Sequence, residues 1–157
     1  MDAPITINKL SLPSSLSKLI SADMWKFSAF ADAYESVFGI KNANGVCLSP
    51  DAMERATQHF KTLIPLGLAK AYHIGLTSAE DPPLTDPEWL DLRLAVLIGD
   101  TGIDEPFCLD YRWNAANPRV VYLTGNPLPS WQQVAVDFAA FAIALGLADA
   151  ADEFTGN

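Results

Sequence analysis

The sequence predicts an α+β fold, with helices packed on an antiparallel sheet, and three observations carry that expectation. Apolar, strand-like segments follow one another with short connections at 92–99, 106–112 and 119–125, as in a meander. Apolar stripes at helical spacing lie on either side of them, over 16–38 and 130–146. The totals are those of one globular domain: 157 residues, half of them apolar and 18% charged.

The first dozen residues read as a lead-in. Leu16, Leu19 and Ile20 then form one short stripe. Trp25, Phe27, Phe30, Tyr34, Val37 and Phe38 form a second, at spacings of three and four, and Gly39 is a natural stop. Residues 41–45, KNANG, are turn chemistry, because Asn-Gly tolerates positive φ. A short strand follows at 46–49. At the next helix start, Ser49 can cap, Pro50 suits the first helical position and Asp51 favours the positive end of the helix dipole. Residues 63–77 read as a strand or extended segment. The stretch 78–89, with three prolines and four acidic residues, reads as an exposed loop.

After the three strands, with 113–118 as turn material, the last element is expected to be an amphipathic helix over 130–146. Ser130 would cap it, with Gln133 in the capping-box position. Trp131, Val134, Ala135, Phe138, Phe141, Ala142 and Leu145 would form its buried face, and Gly146 would end it. Residues 1–150 are expected to form a single domain, with 151–157 as a frayed acidic tail.

Ten Lys and Arg stand against 19 Asp and Glu, a formal charge of −9. Nucleic acid is therefore an unsuitable partner, since phosphate affinity rests on clustered cations. An acidic surface keeps the chain soluble and would steer a basic partner toward it. Cys47 and Cys108 sit in apolar, strand-like contexts without metal-ligand spacing, so two reduced core thiols are expected. No basic region followed by an apolar run marks the N-terminus, and no apolar run approaches the roughly 20 residues that span a bilayer. The expectation is a cytoplasmic protein with no membrane partner and no cofactor.

Asp100-Thr101-Gly102 after an apolar strand has the letters of an aspartic-protease loop, in which two aspartates share a proton. Asp104 and Glu105 follow immediately, and like charges there would disturb that sharing. A homodimeric aspartic protease using Asp100 stays as a remote alternative. Asp100, Asp104, Glu105 and Asp110 resemble a calcium loop, but the third and twelfth positions fall on Gly102 and Tyr111. His59 and His73 have no nucleophile elbow or catalytic cysteine nearby, and no phosphate-binding glycine motif occurs. Trp25 and Trp131 read as core residues on helix faces. Trp89 and Trp113 lie beside loops, where an aromatic can cover a sheet edge or anchor a partner.

The second half resembles the SMI1/KNR4 family of the SUKH superfamily. The likeness rests on Ile98-Gly99-Asp100, Gly102, Leu109-Asp110, Val121-Tyr122 and the series Val134-Ala135-x-x-Phe138-x-x-Phe141. Upstream, Leu12-Pro13, Asn44-Gly45 and the helix start LSPDAMERA are similar too. The resemblance implies a curved, mainly antiparallel sheet with helices packed around it. In function it implies a non-enzymatic binding protein, an immunity protein that neutralises a cognate bacterial toxin such as a basic nuclease. The alternative is a regulatory adaptor or scaffold, as in fungal relatives. The partner surface is expected on loop 78–89 (Glu80, Asp81, Asp86, Glu88, Trp89), turn 100–105 (Asp100, Asp104, Glu105) and Trp113.

Overall fold

The structure, a computed structural model, describes residues 5–26, 37, 45–62, 85–100, 106–124 and 130–147. The extended segment expected at 63–77, the helical stripe from Phe27 to Tyr34, most of loop 78–89 and turn 101–105 lie outside these residues.

The chain does not begin with a plain lead-in. Strands β1 (Thr6–Ile7) and β2 (Leu10–Ser11) form a hairpin in which Ile7 pairs with Leu10. Its two-residue turn, Asn8-Lys9, has φ of 53° and 64°, the left-handed conformation of a type I′ turn. The Asn8 amide nitrogen donates to the carbonyls of Leu92 (2.8 Å) and Ala95 (3.0 Å), and its amide oxygen accepts from Lys61 Nζ (2.5 Å). One buried side chain thus ties the hairpin to the sheet and to the helix that carries Lys61 (Pro50–Thr62).

Helix α1 spans Ser14–Ser21 and buries Leu16 and Leu19 of the short stripe, with Ile20 partly buried. It ends there because the chain reverses at Asp23, which has a φ of 58°. Trp25 therefore lies beyond the helix rather than on its face, as the spacing had suggested. It is still core, packing edge-on against Phe107 and Phe138 with centroids 6.3 and 5.6 Å away. Val37 is helical, as its place in the second stripe predicts.

Strand β3 is Val46–Cys47, and helix α2 runs over Pro50–Thr62. Ser49 opens α2 as expected, its Oγ accepting the Ala52 N–H at 3.3 Å. Thr57 in mid-helix donates its hydroxyl to the Met53 carbonyl and accepts the Leu97 N–H at 3.1 Å, fastening α2 to the sheet.

A short 3-10 turn, Leu92–Leu94, leads into β4 (Ala95–Asp100), β5 (Pro106–Asp110) and β6 (Arg119–Thr124). These are the three expected strands, each shorter by one or two residues, with β4 starting at Ala95 and running on to Asp100. Strand β7 (Ser130–Ala135) completes an open five-stranded antiparallel sheet in the order β3-β4-β5-β6-β7.

The central strands read as continuous apolar runs because both of their faces are buried. Val96, Ile98, Phe107, Leu109 and Val120 pack with α1 and with helix α3 (Phe138–Ala144). Ala95, Leu97, Cys108, Val121, Leu123 and Trp131 pack on the other side with Leu90, Leu92 and, from α2, Ala56 and Phe60.

The helix expected over 130–146 is corrected: residues 130–135 are strand β7, and only Phe138–Ala144 is helical. A helix beginning at Ser130 would leave β6 without a partner on one side. As a strand, the segment instead pairs Trp131 with Leu123 and Gln133 with Val121, which places the Trp131 indole in the core. The cap shifts accordingly from Ser130 to Asp137, whose Oδ1 accepts the Ala140 N–H at 2.8 Å. Phe138, Phe141, Ala142 and Leu145 are buried as expected, and Gly146 stops the helix with a φ of 78°.

Candidate functional site

At the end of the sheet where β5 turns into β6, Asp110 and Arg119 face each other across the ladder. They share a sheet face with Cys108, Val121 and Trp131, since alternate residues of a strand point the same way. The Asp110 carboxylate is 1% exposed and serves two guanidinium groups. Its Oδ2 accepts from Arg112 Nη2 (2.9 Å), Arg119 Nε (3.0 Å) and Arg119 Nη2 (2.9 Å). Its Oδ1 accepts the Arg112 N–H and Nε, both at 3.1 Å. Arg112 is as buried as its partner, which is feasible for a charge only when it is paired and hydrogen-bonded.

The two arginines reach past Asp110 to the backbone of the 86–89 segment. Arg112 donates to the carbonyls of Asp86 (3.0 Å) and Trp89 (2.7 Å), and Arg119 to that of Pro87 (2.9 Å). The Trp131 N–H donates to the remaining carbonyl, Glu88, at 3.0 Å. Four successive carbonyls of a proline-containing loop are thus satisfied by donors from the sheet end, which holds the segment against β7 without regular strand pairing.

Trp113 follows directly. Its indole is 54% exposed, with the guanidinium carbons of Arg112 and Arg119 lying 4.4 and 4.5 Å from the ring centroid. Asn114 shapes the turn after it, accepting the N–H groups of Ala116 (3.1 Å) and Asn117 (3.0 Å) through its side-chain oxygen. Trp113, Asn114 and Asn117 form one wall of an open concavity of about 490 Å³. Gln133, Val136 and Asp137, where β7 gives way to α3, form another, with Pro87, Asp110 and Arg119 between. Val136 is itself largely exposed, adding a second apolar surface to the rim.

The expected partner residues divide between two ends of the sheet. Asp86 and Glu88 are exposed and Trp89 is half-buried; the Asp86 and Trp89 carbonyls bond to Arg112 of the Asp110 network, which also carries Trp113, and the Glu88 carbonyl between them bonds to Trp131. Asp100 pairs with Pro106 at the opposite end, five residues along β4 from Ala95, which pairs with Asp110. At about 3.4 Å per residue that is some 17 Å away. Glu80, Asp81, Asp104 and Glu105 lie outside the described residues. Asp110, Arg112, Arg119 and Asp137 were not singled out as partner-binding residues, although the hairpin register that places opposite charges face to face was available from the strand pattern.

Other candidate chemistry is also placed. His59 is exposed on α2, with its ring 6.4 Å from Phe60. Both thiols are free: burial pushes Cys47 up to about 12, and burial followed by the nearby Asp110 and Asp100 charges pushes Cys108 well above its ordinary value. Burial likewise raises the Tyr111 phenol, whose O–H donates to the Ser11 carbonyl at 2.8 Å. Among the described residues no three His, Cys, Asp or Glu side chains gather to hold a metal ion, and no helix is long and apolar enough to cross a membrane. In comparisons with family models, curated proteins and solved structures, none matches this chain.

Proposed function

We propose that this protein is a non-enzymatic protein-binding domain of the SMI1/KNR4 type, an immunity protein that works in the cytoplasm and occludes a cognate bacterial toxin. The observation that carries the reading is Trp113, an exposed indole held in place by two arginines at the mouth of an open concavity. Large, rigid aromatics with little conformational entropy to lose are the residues that dominate protein interfaces. The charge of −9 favours a basic partner such as a nuclease toxin, and complementary fields raise the association rate. The resemblance over 92–147 adds the family's expected role, with the antiparallel meander and flanking helices as its supporting architecture.

Co-expression with the protein encoded beside its gene tests the proposal. The expected result is that the parent chain binds and protects, while Trp113→Ala weakens binding by at least about tenfold, as loss of an interface hot spot does, with no change in folding. Binding without any protection would favour the adaptor reading. Absence of both binding and protection overturns the immunity reading.

A further inference from the structure

We infer that an extended, basic segment of the partner protein adds to the outer edge of β7 at Gln133 and lays a lysine side chain in the concavity beside Trp113 and Asp137. The inference deepens the proposed partner-binding role of this surface and rests on it. Residues opposite each other in an antiparallel ladder alternate between exchanging main-chain bonds and turning them away. The Trp131 N–H points off the sheet to the Glu88 carbonyl, so Trp131 and Leu123 are a pair of the second kind. Gln132 with Tyr122 is then of the first kind. Gln133 with Val121 is again of the second, because the register shift comes only after Gln133. The Gln133 N–H and C=O therefore point off the sheet, and among the described residues no group pairs with them. Gln133 is exposed and lines the concavity. The open edge is short, since the 86–89 segment holds it at Trp131 and Val136 is already outside the strand. It leaves room for one exchanged pair of main-chain bonds, the means by which an extended segment adds to a sheet.

Side-chain direction and charge select the residue that pairs there. Two residues opposite each other in a ladder send their side chains to the same face. Gln133 shares the face of Trp131, two residues before it, and it lines the concavity with Pro87, Trp113 and Asp137. A side chain opposite Gln133 is thus directed to the side of the concavity. The exposed Trp113 and Val136 give its walls apolar surface suited to a methylene stem. At this end of the sheet four carboxylates, Asp86, Glu88, Asp110 and Asp137, stand against two guanidiniums, Arg112 and Arg119, and both guanidiniums are committed to Asp110. Asp137 is only partly buried and places one oxygen, Oδ1, on the Ala140 N–H, which leaves Oδ2 to meet a cation. The Trp113 ring already carries two guanidiniums, so the stacking that favours arginine is taken, and lysine is the basic residue that fits.

The test needs no toxin, so its failure is distinguishable from a failure of the immunity reading. The 15N-labelled protein is titrated with the peptide acetyl-Thr-Val-Lys-Val-Thr-amide at constant ionic strength. Two control peptides carry norleucine in place of lysine, or an N-methyl group on the lysine amide, which can then no longer donate to an edge. The expected result is a saturable shift of the Gln133 amide and of the Trp113 indole N–H with the lysine peptide. The N-methylated peptide should bind at least about tenfold more weakly, having lost its main-chain pairing. The norleucine peptide should bind about threefold more weakly, having lost only the charge. Asp137→Asn, which keeps an N-cap oxygen for α3, should cancel that threefold difference. No shift at Gln133 up to about 10 mM peptide, equal binding of either control, or a lysine preference that survives Asp137→Asn each overturns the inference. A free protein that sediments as a dimer with its Gln133 amide already protected from exchange also overturns it, in favour of pairing between two copies of this chain. Should Asp137→Asn fail to fold, the three peptides on the parent protein decide by themselves.

Discussion

Asp110 holds two guanidinium groups at one end of the sheet. Replacing it with Asn leaves two guanidiniums, one of them fully buried, without their counter-charge. The expected cost is roughly 3–5 kcal/mol, since breaking a buried ion pair strands the partner charge, and a fall in the urea midpoint would measure it. A loss well under 1 kcal/mol would show that solvent reaches the network. The thiols make a second residue-scale prediction. An unfolded thiol ionises near its ordinary value of 9.0, whereas Cys47 keeps its proton to about 12, and Cys108 shifts in the same direction. The unfolded chain therefore loses its protons first. The stabilisation is complete below about pH 9 and is lost as the pH rises toward about 12. Urea midpoints should decline across that window, and Cys47→Ala should flatten the decline; an unchanged slope would refute the assignment. In the sequence Asp110 was legible as a letter in a failed calcium pattern and as the end of the Leu109-Asp110 pair in the family resemblance, neither of which assigns it a partner. The hairpin register that pairs it with Arg119 gives it a structural role.

At the scale of elements, the strands β4, β5 and β6 were legible because runs of three to five apolar residues bounded by turn residues point to short buried strands. The segment 130–135 was not. Trp131, Val134 and Ala135 fit helical spacing, and the true cap, Asp137, lies inside the same apparent stripe. The need of β6 for a partner decides the matter, and that is a tertiary demand no local window contains. The β1–β2 hairpin was missed because Asn-Lys is a poorer type I′ pair than Asn-Gly. Lys9→Gly should therefore stabilise the protein by about 1 kcal/mol, the strain of a left-handed non-glycine residue, raising the thermal midpoint while Lys9→Ala leaves it nearly unchanged. Gly99 is the converse case. A Cβ there would fall 2.1 Å from Phe107 Cζ and 2.7 Å from the Val46 carbonyl oxygen. The ring can turn but the β3 backbone cannot, so Gly99→Ala should destabilise by roughly 1–3 kcal/mol in the same unfolding assay. The resemblance had quoted this glycine as part of a turn pattern; here it allows β3 and Phe107 to approach β4.

For the whole molecule, both faces of the sheet are covered: α1 and α3 pack on one, the 90–92 segment on the other, and α2, fastened to β4 through Thr57, sends Met53 into the first core and Ala56 and Phe60 against the second. Composition pointed to a single globular domain, while the burial of both faces of the central strands emerges only from the packing. The candidate site was legible in part. Asp86 and Trp89 share the network that carries Trp113, because Arg112 donates to both their carbonyls and lies over the Trp113 ring. Asp100 was grouped with them on composition alone and stands at the far end, since loops close in sequence pattern need not share an end of a sheet.

The bond from Trp131 to the Glu88 carbonyl has a consequence for how the molecule keeps to itself. β7 is the last strand of an open sheet, and such a strand is a template for a stray chain to extend. Covering its amide with a loop carbonyl denies that template at Trp131, and the loop is held in place by the arginines of the Asp110 network. The same buried charge that organises the candidate site therefore also guards the protein against aggregation.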